Sequence, residues 1–177
     1  MPLIGGTVRD LIEAALRDAD PDGPVRWQAI ALMQARGDLE TFTEARRLCA
    51  GESVAERLLG VDILGRLGRF KDRALPVLRY LAASETDPMV LYSVLIAFGH
   101  LGDRRSLPSV IDLAASEDPR VRYGAAYALP NVIGNPPDPT GLAALRELAK
   151  DSDDDVADWA TLGIALTTGG QVDDIGR

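Results

Sequence analysis

Histidine and cysteine each occur once in this sequence, as His100 and Cys49. One cysteine makes no disulfide within a chain, and one histidine supplies neither a histidine-rich metal cluster nor a Ser-His-Asp triad. The stretch DSDDDVADWATL (151–162) resembles the opening of a calcium loop, but Val156 and Leu162 stand where that loop needs a glycine and a bidentate glutamate. We therefore expect no catalytic residue, no cofactor and no metal site, and we interpret the protein as a non-enzyme.

Basic residues are scarce as well. The chain has 19 Lys and Arg against 27 Asp and Glu, a net charge of −8, and residues 151–177 hold seven aspartates and one arginine, which gives −6 of that total. Nonspecific nucleic-acid binding depends on phosphate neutralisation by Lys and Arg. We therefore expect no nucleic-acid partner, and we expect the acidic end to attract a basic protein or peptide.

Long hydrophobic runs are missing too. No eighteen apolar residues follow one another, and the start MPLIGGTVRD shows no basic region followed by an apolar stretch. We expect a cytoplasmic protein with no membrane partner. With 46% hydrophobic residues among 177, the chain can bury a core, and its length favours one domain, residues 1–177.

The sequence does contain a repetition. Residues 106–134 are nearly a copy of residues 74–102, and five segments share apolar or small residues four, seven and eight places after a reference position. The reference positions, 31, 34, 31 and 35 residues apart, are Val25, Glu56, Val90, Val121 and Val156. These offsets lie on one side of a helix, so each segment predicts an amphipathic helix with one buried face.

Capping residues set the bounds of these helices. The residues placed as N-caps are Asp22, Ser53, Asp87, Asp118 and Asp153. Glycines 37, 68, 102 and 134 end the pattern. Shorter segments between them also read as helices, with Pro76 and Pro108 in opening turns. The sequence thus predicts an all-α fold of five helix pairs without strands, with repeats at residues 7–37, 38–68, 72–102, 104–134 and 140–168 and a tail at 169–177.

The motifs carry a family resemblance. DPRVRYGAAYAL (118–129), with DPMVLYSVLIAFGHLG (87–102) as a weaker copy, resembles the HEAT repeat, particularly the bacterial HEAT-like variety also found in phycobilin lyases. The resemblance implies a right-handed α-solenoid whose second helices line a concave surface. It also implies a hydrogen-bonded ladder between turn aspartates and helix arginines of neighbouring repeats. By position, the ladder residues are Asp22, Asp87, Asp118, Asp153, Arg26, Arg57 and Arg122.

Aromatic residues make up only 5% of the chain, yet several fall on one side of the repeated helices. Offset two holds Trp27, Leu58, Tyr92, Tyr123 and Asp158, and offset six holds Ala31, Asp62, Ile96, Tyr127 and Leu162. This side points away from the predicted buried face, and exposed aromatics are typical of binding surfaces. We predict a partner-binding strip of Trp27, Tyr92, Tyr123, Tyr127, Asp62 and Asp158.

Three functions remain open. The leading one is a noncatalytic protein-binding module, an adaptor, scaffold or immunity-type inhibitor that uses the concave face. The second is an enzyme similar to HEAT-like alkylpurine DNA glycosylases, imitated here by Trp159 and Asp158 with Arg122 one repeat away, or a phycobilin lyase. The third is an accessory subunit of a larger assembly.

Overall fold

Each of the five repeated segments forms the second helix of a helix pair. The structure is a computed structural model, and it describes residues 6–18 and 20–169. The helices are α1 (Val8–Arg17), α2 (Pro24–Arg36), α3 (Leu39–Cys49), α4 (Val54–Leu64), α5 (Lys71–Ser84), α6 (Pro88–Leu101), α7 (Leu107–Leu113), α8 (Pro119–Val132), α9 (Pro139–Leu148) and α10 (Asp154–Thr168). Short 3₁₀ turns, Gly68–Phe70 and Arg104–Ser106, precede α5 and α7. Within the described ranges there are ten α-helices and no strand, so the all-α prediction is confirmed.

Most of the predicted helix ends agree with the structure. Gly37 and Gly102 are left-handed C-caps, with φ of 51° and 58°, a conformation that glycine adopts without strain. Gly68 does not end α4. The helix stops at Leu64, and Gly68 begins the 3₁₀ turn that precedes α5. Pro76, predicted in an opening turn, lies inside α5, whereas Pro108 is in the first turn of α7.

The N-caps follow the sequence in four of the five second helices. Ser53, Asp87, Asp118 and Asp153 each accept a hydrogen bond from a backbone N–H of the following turn. The prediction of Asp22 is wrong: Gly23 is the N-cap of α2, and Pro24, which needs no hydrogen-bond acceptor, begins the helix.

The chain divides into two compact units, Met1–Val77 and Leu78–Arg177, with the boundary inside α5. In the first unit α4 packs against α3, α1 and α2. A Cβ atom at Gly60 would lie 2.7 Å from the carbonyl oxygen of Ala45, so α3 and α4 approach each other closely only because residue 60 is glycine. Burial beside this contact raises the pKa of the Cys49 thiol to about 12, which suits a packing role.

In the second unit the repeated helices lie side by side, α6 against α8 and α8 against α10. Val121, Ala125 and Leu129, predicted to be buried in the fourth repeat, are each 0% exposed. Leu95 and Phe98 of α6, also inaccessible to solvent, complete this part of the core.

The helix register differs from the prediction in the first two repeats. Val25, the reference position of the first repeat, is 42% exposed, and Arg26 beside it is buried. Leu58, placed on the solvent side, is buried as well. The four-seven-eight pattern specifies a face, but neighbouring helices decide how far that face is rotated about the helix axis.

Gly169 is the C-cap of α10, and the rest of the predicted tail, residues 170–177, lies outside the described residues. The described part of the chain contains no helix that is both long and apolar enough to cross a membrane. The single-domain prediction stays a prediction.

Candidate functional site: an aromatic strip on the second unit

Five aromatic side chains form a continuous series across α6, α8 and α10. The centroid distances are 6.3 Å for Tyr92–Tyr123, 5.8 Å for Tyr123–Trp159, 5.9 Å for Trp159–Tyr127 and 6.2 Å for Tyr127–His100. We call these five residues the aromatic strip. Most of the pairs meet edge to face, the arrangement that aromatic quadrupoles favour. The structure thus brings together the three predicted tyrosines and adds a tryptophan and a histidine.

The repeat itself positions the tyrosines. Tyr92 and Tyr123 each stand five residues after the capping aspartate of their helix, so they occupy equivalent places on adjacent helices. A Cβ atom at Gly99 would lie 2.6 Å from Cε1 of Tyr127, and one at Gly124 would lie 3.2 Å from Cδ2 of Tyr92. These glycines therefore provide the space in which the rings lie against the neighbouring helix.

The strip is partly open to solvent. Tyr92, Tyr123 and Tyr127 are half-buried, and Trp159 is 37% exposed. Further along α10, Leu162 and Leu166 are exposed apolar side chains. Rings that are half-packed and half-accessible offer rigid contact area with little loss of side-chain entropy on binding.

A pocket of about 280 Å³ opens at the end of the strip formed by Tyr92 and Tyr123. Asp153 and Asp155, from the beginning of α10, line it together with Arg120. Burial raises the pKa of the Tyr123 hydroxyl, and the nearby Asp155 carboxylate raises it further, while a hydrogen bond with Trp159 acts in the opposite direction. The phenol is therefore neutral at physiological pH, with carboxylates beside it.

Asp158, also predicted for the binding surface, is exposed on α10 next to Trp159. The other two predicted residues, Trp27 and Asp62, lie in the first unit. Arg26 donates a hydrogen bond of 2.5 Å to Asp62, and the side chains of this ion pair are only 5% and 12% exposed. The guanidinium groups of Arg26 and Arg66 lie over the Trp27 ring, 5.3 and 4.8 Å from its centroid. Both residues therefore have intramolecular roles.

The three predicted ladder arginines share one contact. Each donates from Nη1 to carbonyl oxygens of the turn that precedes its own helix: Arg26 to Pro21, Arg57 to Gly51 and Glu52, and Arg122 to Ser116 and Glu117. These bonds hold the turn against the helix in repeats one, two and four. The predicted ladder aspartates Asp87, Asp118 and Asp153 cap their own helices, while Asp22 is exposed.

The link from the fourth repeat to the fifth uses Asp151, two residues before the predicted Asp153. Arg122 donates to both carboxylate oxygens of Asp151, at 2.7 and 2.9 Å, and both side chains are largely buried. This hydrogen bonding by Arg122 holds the pKa of Asp151 below its ordinary value, and the backbone N–H of Asp153 lowers it further.

Asp151→Asn is expected to make the second unit less acid-sensitive. Because the folded pKa of Asp151 is lowered, the ion pair stabilises the fold above the ordinary carboxyl pKa of about 3.9, and this stabilisation is lost as pH falls through the lowered pKa. In urea unfolding experiments, the free energy of unfolding of the wild type should therefore fall more steeply between about pH 5 and pH 2 than that of the variant. The exposed Asp158→Asn is the control and should keep the wild-type slope; equal slopes for wild type and Asp151→Asn would contradict the assignment.

In the described part of the chain, no group of three His, Cys, Asp or Glu side chains is arranged to hold a metal ion.

Comparison with known proteins agrees with this architecture. Residues 81–165, which contain α6 to α9 and most of α10, match the family model described as HEAT repeats. This stretch of the chain carries HEAT repeats. No curated protein sequence matches it.

Solved HEAT-like and armadillo structures share the fold. YibA from Escherichia coli has a TM-score of 0.67 at 18% identity, over 93% of this chain and 63% of YibA, so this chain spans less than two thirds of that protein. An archaeal HEAT-like repeats protein from Thermococcus onnurineus NA1 has a TM-score of 0.57 at 16% identity, over 94% of this chain and 67% of its own. A designed armadillo repeat protein, solved with the peptide (KR)4, has a TM-score of 0.58 at 12% identity, over 91% and 82%. These likenesses identify an α-solenoid fold of the HEAT and armadillo type.

Sequence reasoning missed Trp159 as a member of the strip. It stands three places after Val156, between the two offsets assigned to the solvent side, so the arithmetic excluded it. The sequence did contain a signal: Trp159 is a large side chain that follows Asp158 in a helix whose first turn is acidic, which does not fit the core pattern. The structure agrees, since Trp159 is exposed.

Proposed function

We propose that this HEAT-repeat protein is a noncatalytic protein-binding module that holds a peptide segment of a basic partner on its aromatic strip. The observation that carries the proposal is the continuous series of half-exposed rings from Tyr92 to His100 on adjacent second helices. Aromatic side chains that are rigid and partly desolvated are the residues that dominate protein interfaces.

Charge supports the choice of a basic partner. The acidic first turn of α10 and the exposed Asp158 lie beside Trp159, and the net charge of the chain is −8. A field of one sign attracts an oppositely charged partner and accelerates its encounter. The designed armadillo repeat protein, of similar fold, was solved with a peptide of alternating lysine and arginine, which is the same ligand chemistry.

The proposal is restricted to the second unit. Asp62 is ion-paired with Arg26, and Trp27 contacts two guanidinium groups, so their predicted part in partner binding requires breaking contacts that the fold already uses. The ladder arginines are likewise assigned to structure.

A peptide-display selection tests the function and identifies ligands in the same experiment. A library of random peptides is selected on the wild-type protein at physiological salt and counter-selected on Trp159→Ala, which removes the central ring of the strip. We expect recovered peptides to be rich in lysine and arginine and to bind the wild type at least about tenfold more tightly than the variant, about 1.4 kcal/mol. Recovery of peptides that bind both proteins equally would contradict a binding role for the strip.

A further inference from the structure

The pocket at the end of the aromatic strip combines two features that neither the helices nor the core require. Tyr92 and Tyr123 form one wall with their rings 6.3 Å apart and inclined by 38°, and Met89 and Pro119 add apolar surface. Asp153 and Asp155 also line the pocket. Its volume of about 280 Å³ is just below the range of about 300–1,000 Å³ that drug-sized ligands occupy. The pocket therefore suits a single side chain.

The charge around the pocket is negative in spite of Arg120. Asp118 engages Arg120 through both carboxylate oxygens, at 3.1 and 2.9 Å from Nε and Nη2, so the charge of this arginine is already matched. Asp87 also contributes favourably to its electrostatic environment. One oxygen of Asp153 accepts the backbone N–H of Val156, and Asp155 is exposed. Asp153 also interacts electrostatically with Arg122, which is paired with Asp151 outside the pocket lining. Asp155 is therefore the carboxylate that remains without a matching cation among the residues that line the pocket.

We propose that this pocket binds the guanidinium group of an arginine side chain from the partner, an inference that rests on the binding function proposed above. A guanidinium is planar, stacks on the faces of tyrosine rings and forms bidentate hydrogen bonds with carboxylates, so it can contact both kinds of lining residue. An ammonium group is a compact charge that is more strongly hydrated and has no planar face. The pocket therefore binds arginine in preference to lysine.

A fluorescence titration tests the pocket directly, because Trp159 contacts Tyr123 and reports on its surroundings. Trp27→Phe removes the other tryptophan of the chain and leaves Trp159 as the reporter. The probes are the peptide (Arg-Gly)4, its lysine counterpart and its citrulline counterpart, which keeps the planar shape but has no charge. At an ionic strength of about 0.15 M, where the Debye length is about 8 Å, we expect the arginine peptide to bind at least about threefold more tightly than the lysine peptide, and the citrulline peptide to bind most weakly.

Asp155→Asn and Asp154→Asn are a matched pair of variants. Each removes one negative charge from the first turn of α10, but only Asp155 lines the pocket. Asp155→Asn should weaken the binding of (Arg-Gly)4 by about tenfold, as expected when a charged hydrogen-bond acceptor is lost. Asp154→Asn should weaken it by less than about twofold, because it removes only a more distant charge whose attraction is screened by salt. Tyr92→Ala should weaken it by about fivefold, and Tyr92→Leu, which keeps apolar bulk without a ring face, should not restore it.

Equal weakening of (Arg-Gly)4 binding by the two asparagine variants, or equal affinity for the arginine and citrulline peptides, would contradict the proposal that the pocket binds arginine. The proposed function fails separately. If the binding of display peptides depends on Trp159 while the affinity for (Arg-Gly)4 is unchanged by Asp155→Asn, the strip binds partners and the pocket does not bind arginine. If neither peptide class depends on the strip or the pocket, both proposals are wrong.

Discussion

The Asp62→Ala variant is expected to lose about 3–5 kcal/mol of unfolding free energy in the first unit, the usual cost of leaving a buried charge unpaired. The guanidinium of Arg26 is 5% exposed and has Asp62 as its carboxylate partner at 2.5 Å. It also donates to the carbonyl oxygen of Pro21, but a carbonyl does not neutralise the charge. Urea unfolding followed by Trp27 fluorescence, in a Trp159→Phe background, measures the loss in this unit.

The double variant Arg26→Met/Asp62→Leu distinguishes the cost of an unpaired buried charge from the cost of lost packing. Because it removes both charges and keeps apolar volume, it should recover most of the stability that Asp62→Ala loses. If Asp62→Ala lost less than about 1 kcal/mol, the pair would be as weak as a surface ion pair, and the assignment of Asp62 to structure would be wrong.

The Leu129→Ala variant is expected to lose about 2–5 kcal/mol in the second unit. Leu129 is 0% exposed on α8, the central helix of the three that carry the aromatic strip, and its truncation leaves a cavity as well as reducing apolar burial. Trp159 fluorescence in the Trp27→Phe background follows unfolding of this unit.

Leu166→Ala is the matched control, since it makes the same chemical change in a leucine that is 70% exposed. It should change the unfolding free energy by less than about 0.5 kcal/mol, as surface substitutions ordinarily do. Similar losses for the two leucine variants would show that the register of α8 is wrong.

The helices could be predicted from the sequence because they depend on local patterns. The four-seven-eight spacing of apolar residues, the capping aspartates and the closing glycines act within one or two turns, and they predict ten helices with small errors at the ends. The errors arise where another segment intervenes. α4 has already ended at Leu64 before Gly68, which begins the 3₁₀ turn that leads into α5, and Gly23 rather than Asp22 caps α2.

The site could be predicted only in part because it depends on contacts between helices. Equivalent positions in two copies of the repeat put Tyr92 and Tyr123 together, and the sequence shows that equivalence directly. The inclusion of Trp159 depends on the rotation of α10 relative to α8, which periodicity does not specify. The same holds for Asp62, whose buried partner comes from a helix of the preceding repeat.

The central claim is that the aromatic strip binds a partner and is not merely core, and one variant, Tyr123→Ala/Tyr127→Ala, tests it most directly. Both rings are half-buried and contact Trp159, so we expect the second unit to stay folded with a midpoint of thermal unfolding within a few degrees of wild type. Binding of a strip-dependent display peptide to the folded variant should weaken by about 2 kcal/mol or more, roughly thirtyfold, the loss typical of aromatic anchors. Unfolding of the variant, or full affinity in a folded variant, would contradict the claim.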